Sequence, residues 1–172
     1  LAGYQTGISG KWHNGSRKPH RPFDRGFDKS YGLWDGACNF FDPTIQDPKF
    51  KGSRKRVFGQ NDKLITKFPG DYYLTDAFTN HAIRMIDEFS SKKAPYLLYV
   101  PYTAPHYPLH AKPKDIAKYK GKFSMGWDDL QKRRYKKTID LGLINSDWTL
   151  PPRYPEAQPW NDAKNKDWQN LR

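Results

Sequence analysis

A lysine and a histidine flank one tryptophan in Gly10-Lys11-Trp12-His13. Residues two apart in an extended segment share a face, so Lys11 and His13 are expected to point the same way. A fixed ammonium beside a titratable imidazole suits an anionic ester: the ammonium neutralises oxygens and the imidazole moves a proton. An exposed Lys beside a loop His is the bland alternative, because such tripeptides are common by chance. A second group lies in Tyr99-Val-Pro-Tyr102-Thr-Ala-Pro105-His106-Tyr-Pro108-Leu-His110. His106 falls between prolines that restrict the backbone. A rigidly presented His at the carboxyl end of a strand is a reasonable general acid, and ligand sites of open parallel sheets lie at those ends. A loop His bonded to backbone is the alternative.

The elements that must position these groups are legible in outline. Leu1-Ala2 followed by Gly3 read as the end of a helix. Tyr4 to Trp12 reads as a short strand. Asn14 to Asp71 is rich in Gly, Pro, Asp and basic residues and is expected to be loops with short turns. Within it, Lys49 to Lys67 is strongly basic and reads as an exposed excursion. Phe78, Ala82, Met85, Ile86 and Phe89 recur at helical spacing, predicting a helix over Thr75 to Ser90 capped by Asp71 or Thr75. Tyr96 to Tyr102 then reads as a buried strand. Strand, helix, strand in this order predicts an α/β fold with a parallel sheet. Two further helices are expected at Lys114 to Lys120 and Asp128 to Leu141, and no packed element from Trp148 onward.

The composition narrows the classes. The 172 residues carry 30 Lys and Arg, 18 Asp and Glu, and a net charge of +12. Leu, Ile, Val and Phe make up less than a fifth of the chain, which with high net charge tends toward disorder. The 6 Trp and 11 Tyr oppose that, since aromatic side chains bury much area. The length suits one folded but polar domain, or a piece of something larger. One cysteine, Cys38, excludes an intrachain disulfide framework and a Cys-based zinc site. No apolar stretch approaches the ~20 residues of a membrane span.

The stretch Gly3-Tyr4-x-Thr6-x-x-Ser9-Gly10-Lys11-Trp12-His13 resembles the second signature of the sulfatase family, arylsulfatase type, in the alkaline phosphatase-like superfamily. Gly26-Phe27-Asp28, Tyr31-Gly32, Asp71 to Asp76 and Tyr99 to Leu109 follow in the family's order. The resemblance implies part of an alkaline phosphatase-like sandwich, with a mostly parallel sheet flanked by helices. It implies that Lys11 contacts both the sulfate and the nucleophile, and that His13 hydrogen-bonds the nucleophile. His106 would sit at the sulfate and the leaving-group oxygen, and His110 would line the pocket. His20 and His81 take no role.

Members of the family use calcium and a formylglycine made from Cys or Ser in a Cys/Ser-x-Pro/Ala-x-Arg motif. That motif and an early Asp-Asp pair lie upstream of the signature, and a late Asp-Asn pair lies downstream. Neither nucleophile nor metal ligands match residues here, so residues 1–172 are expected to be an internal fragment of the catalytic domain, inactive alone. Cys38 lacks the following Pro-x-Arg and reads as an ordinary loop cysteine. The intact protein would cleave sulfate esters of aryl or carbohydrate substrates, and its family implies a periplasmic or secreted location. Trp34, Phe40, Phe41 and Tyr107 could stack on a sugar or aryl ring. A phosphate or phosphonate monoester hydrolase of the same superfamily is the alternative. A basic module binding nucleic acid or another polyanion is a third reading. No helix-turn-helix, zinc-finger or RNP-like pattern supports it, and charge on a fragment does not imply a nucleic-acid partner.

Overall fold

The computed structural model describes residues 3–170, so the expected helix end at Leu1-Ala2 lies outside the described residues. The chain divides into two compact units, residues 1–110 and 111–172.

The first unit is built on a five-stranded sheet, ordered β4-β3-β2-β1-β5. Its strands are β1 (Gln5–Lys11), β2 (Lys29–Leu33), β3 (Phe58–Gln60), β4 (Lys63–Leu64) and β5 (Tyr96–Tyr99). β2 and β5 both run parallel to β1, while β3 and β4 add an antiparallel edge. The α/β expectation holds, but the stretch expected to be loops supplies three of the strands. These are short, and β2 and β3 contain Gly, so none repeats the alternation that marks a strand in sequence.

Helix α1 (Leu74–Ser90) crosses between β1 and β5 and buries Phe78, Ala82, Met85 and Phe89. Ile86, expected on that face, is 38% exposed; it follows Met85 by one residue, about 100° around the helix. Neither Asp71 nor Thr75 caps α1. Tyr73 occupies the cap position without a side-chain bond, and the Leu74 N–H donates to the Phe40 carbonyl at 2.8 Å. A carbonyl from a distant loop thus satisfies one of the orphan donors of the helix start.

The signature residues before Lys11 hold the sheet together. Ser9 Oγ, fully buried, donates to the Phe78 carbonyl at 2.7 Å and ties β1 to α1. The Thr6 N–H donates to Asp28 Oδ2 at 2.8 Å, and the Asp28 N–H returns a bond to Thr6 Oγ1 at 2.9 Å. That pair locks the start of β2 to β1.

β5 departs from the expected buried strand. Leu97 is 55% exposed and Tyr99 50%. β5 is the last strand in the sheet order. Leu98, half-buried, packs against the core, and Tyr96 meets the Phe89 ring at 5.7 Å.

The basic excursion is exposed along residues 49–55 but pinned at its end. Asp35, buried after β2, accepts from the Val57 N–H at 2.7 Å and pairs with Arg54. Asp47 accepts from Arg56 Nε at 3.1 Å and pairs with its terminal nitrogen.

The second unit contains α2 (Pro113–Ala117), α3 (Gly126–Asp140) and α4 (Lys166–Asn170). Its tail is packed, contrary to expectation. Trp160 meets Trp127 edge-on at 4.7 Å, and its N–H donates to Asp128 Oδ2 at 2.7 Å. That bond, with Arg153 beside it, holds the Asp128 carboxyl below its usual range.

Two outcomes follow from this packing. The His81 ring stacks on Tyr31 with centroids 3.3 Å apart, and burial, reinforced by Arg84, pushes its pKa down to about 4 from 6.5. Between those values the unfolded chain binds the proton and the folded chain does not, so stability falls as pH falls from 6.5 toward 4. Denaturant unfolding across that range should show a flatter pH dependence in His81→Phe; an unchanged slope would clear His81. Asp35→Ala should cost about 1–3 kcal/mol, because it strands a backbone donor. It should also speed tryptic cleavage near Arg54, and unaltered cleavage would show that the excursion is held by other contacts.

Candidate functional site

β1, β2 and β5 are parallel, so their carboxyl ends share one edge of the sheet. Three backbones crowd together there. Gly10 and Gly32 are register partners with φ of 151° and 150°. A Cβ on Gly32 would fall 1.8 Å from the Gly10 carbonyl oxygen, and one on Gly10 would fall 2.2 Å from the Pro101 carbonyl oxygen. With no side chains between them, the Lys11 N–H donates to Pro101 at 2.7 Å and the Trp12 N–H to Leu33 at 2.7 Å. Lys11 therefore leaves the sheet from a backbone gripped on both sides. The Trp12 indole N–H donates to the His20 carbonyl at 2.7 Å and anchors the loop that follows.

His13 does not share a strand face with Lys11. β1 ends at Lys11, and His13 has φ of 59°, in the left-handed region. The two-residue alternation stops one turn of chain too early to apply. The imidazole lies instead over Gly36, where a Cβ would stand 2.5 Å from its Nε2. His13 is exposed and is thus positioned by the loop after β2.

His106 is exposed in the loop after β5, between cis bonds at Ala104-Pro105 and Tyr107-Pro108. Its N–H donates to the Thr103 carbonyl at 2.9 Å. Its Nδ1 lies 2.6 Å from the Tyr107 carbonyl oxygen. A carbonyl only accepts, so Nδ1 carries the proton of that bond and Nε2 is left for other chemistry. His110 has a different job. Its Nδ1 accepts from the Phe40 N–H at 3.3 Å, and its ring sits 5.7 Å from both Phe40 and Phe41. It joins this loop to the chain after β2.

Loops after β2 and β5 and the pinned excursion together enclose a cavity of about 220 Å³. Cys38 is on its wall, but it is buried, and burial pushes its thiol up to about 12. A thiol so held is not a nucleophile at neutral pH, and Cys38-Asn-Phe-Phe-Asp42 lacks the Pro-x-Arg that a formylglycine site requires. Among the described residues no group of three or more His, Cys, Asp or Glu side chains could hold a metal ion. The described residues therefore do not fit a calcium site. Of the four aromatics expected to meet a ring, Trp34 and Phe40 are 1% exposed and belong to the core. Phe41 and Tyr107 are 40% and 48% exposed.

Gly36, Asp35 and Arg54 support the site without having been legible as site residues. Asp-Gly after a strand reads as an ordinary turn, and only the fold brings Gly36 to His13.

The Sulfatase family model matches residues 1–164. An uncharacterized sulfatase of Schizosaccharomyces pombe is 33% identical over 99% of this chain and 30% of its own length. An arylsulfatase of Klebsiella aerogenes is 29% identical over 87% of the chain and 32% of its own length. The chain thus spans about a third of the length of these curated relatives. The solved structure of Ps i-CgsB in complex with k-i-k-neocarrahexaose is 34% identical, with a TM-score of 0.54 over 67% of this chain and 27% of that one. The PsFucS1 sulfatase from Pseudoalteromonas sp., at 19% identity and a TM-score of 0.51, shares the fold. With the family model covering nearly the whole sequence, the chain belongs to the sulfatase family.

Proposed function

We propose that residues 1–172 are an internal segment of the catalytic domain of a sulfuric ester hydrolase, and that Lys11, His13 and His106 act on its ester. The observation that carries this reading is the shared edge. Lys11 leaves β1, His13 leans on the loop after β2, and His106 follows β5, all at the carboxyl ends of adjacent parallel strands. The chain's length relative to its relatives, and the exposed Leu97 and Tyr99 on the last strand, support its being part of a larger domain.

The roles follow from the chemistry of each group. The Lys11 ammonium neutralises negative charge on the sulfate and on the attacking oxygen, which another part of the protein supplies. Its gripped backbone limits the reorganisation that would weaken this effect. His13 holds and moves a proton at that oxygen. His106 donates from Nε2 to the departing ester oxygen, while its bond to the Tyr107 carbonyl fixes the ring. We further propose carbohydrate sulfates as the substrate class and an exported enzyme. The complex of Ps i-CgsB with an oligosaccharide supports the former.

Two measurements test this. In the full-length protein, His106→Ala should lower kcat for a sugar sulfate by about 10²–10⁴-fold. The loss should be far smaller for an aryl sulfate whose leaving oxygen needs no proton, and equal losses would take proton donation away from His106. Residues 1–172 alone, supplied with calcium, should turn over no aryl sulfate above the buffer rate. Measured turnover would mean that the segment carries its own nucleophile.

A further inference from the structure

We infer that the cavity beside His106 holds a second anionic group of the substrate, a sulfate or carboxylate that is not the one cleaved, with Lys51 as its principal contact. The inference rests on the hydrolase reading above. Tyr107 and Pro108, the residues next to His106, form one wall of this cavity. An ester held at His106 therefore directs the rest of its carrier into it. At about 220 Å³ the cavity is smaller than the ~300–1,000 Å³ of pockets for drug-sized ligands, which suits one ring with its substituent.

Charge decides which substituent. Two cations reach the cavity, Lys51 and Arg56. Arg56 is neutralised by Asp47, and both side chains are largely buried. Lys51 has no carboxylate partner among the described residues. Its ammonium instead lies over the Tyr107 ring, 4.3 Å from the centroid. A cation resting on a ring face keeps its N–H donors available to an anion. His110, also on the wall, has Nδ1 occupied by the Phe40 N–H, so its remaining ring donor is Nε2–H. The cavity therefore offers one uncompensated positive charge and a neutral donor.

The excursion that carries Lys51 is built to stay. Asp47 holds Arg56, and the Asp47 N–H donates to the Arg54 carbonyl at 3.0 Å. Asp35 then secures Arg54 and Val57 to the loop after β2. A solvated basic loop needs none of these ties. Here they bring a lysine across the chain to the loop that presents His106.

The test uses the full-length protein and three disaccharides with the same reacting sulfate: one with no other anion, one with a second sulfate, one with a carboxylate on the neighbouring ring. The wild type should favour both dianionic substrates in kcat/KM, and Lys51→Ala should reduce that preference about tenfold, the worth of one hydrogen bond to a charged group. Lys51→Glu should reverse it. A preference for only one dianionic substrate supports the cavity and identifies the group it takes. A preference that survives both substitutions, or losses equal on all three substrates, would overturn the assignment while leaving the hydrolase reading intact. Turnover of none of them, with calorimetric binding of the disulfated disaccharide still weakened about tenfold by Lys51→Ala, would keep the subsite and remove the hydrolase reading.

Discussion

The chemistry of this chain depends on how closely three parallel backbones meet at one edge of the sheet. Gly10 and Gly32 have no side chains where any Cβ would collide with a carbonyl oxygen. That absence lets β1 bond to β2 on one side and to Pro101 on the other, immediately before Lys11. A side chain at either glycine would push the strands apart where the ammonium must be held still. Electrostatic stabilisation of a developing charge is effective when the charged group need not reorganise. The fold supplies that condition through backbone, so Lys11 needs no ion-pair partner to fix it.

The same constraint divides the Gly3-to-His13 signature into parts that build and parts that react. Thr6 closes β1 onto Asp28, and Ser9 fastens it to α1. Gly10 admits the neighbouring strands, and Trp12 anchors the next loop through its indole. Lys11 and His13 carry no such structural bond through their side chains among the described residues, and on the proposed reading they are the groups that react. The later landmarks repeat the division: Asp28 and Gly32 are structural partners of Thr6 and Gly10. The signature's length reflects the number of bonds needed to place two functional groups.

Sequence pattern revealed what depends on local chemistry. α1 declared itself through Phe78, Ala82, Met85 and Phe89, and β1 through its position before the lysine. Lys11, His13 and His106 were legible because the Gly3-to-His13 stretch and the later Tyr99-to-Leu109 stretch resemble sulfatase landmarks in the family's order; taken singly, each has an ordinary loop reading. What could not be read depends on tertiary contacts. The short strands β2 to β4 gain their hydrogen bonds from one another and show little alternation of their own. His13 departs from the strand face because its backbone turns left-handed, and Gly36 receives it only after β2 has been laid beside β1. His110 is identified by type as a pocket residue, but its Nδ1 is spent on the Phe40 N–H. β5 has the apolar run of a buried strand, yet Leu97 and Tyr99 face outward because no strand or helix of the described residues covers them.

Charge behaves in the same way. A net charge of +12 suggests a diffuse polyanion surface when read as a total. In the fold individual cations are paired, Arg54 with Asp35, Arg56 with Asp47, Lys29 with Glu88 and Lys118 with Asp115, while the net excess of positive charge remains. The exposed pairs among them, Lys29–Glu88 and Lys118–Asp115, add little stability, but each pair cancels charge locally. On the proposed hydrolase reading, selectivity for an anion rests with those unpaired cations that stand beside the substrate. That reading uses Lys51, which lines the cavity, and Lys11, which leaves the carboxyl end of β1. A polyanion-binding face would require uncompensated cations spread along a line. The proposed hydrolase reading instead places recognition at the carboxyl ends of the parallel strands and the cavity beside them, as a small, defined ester substrate requires.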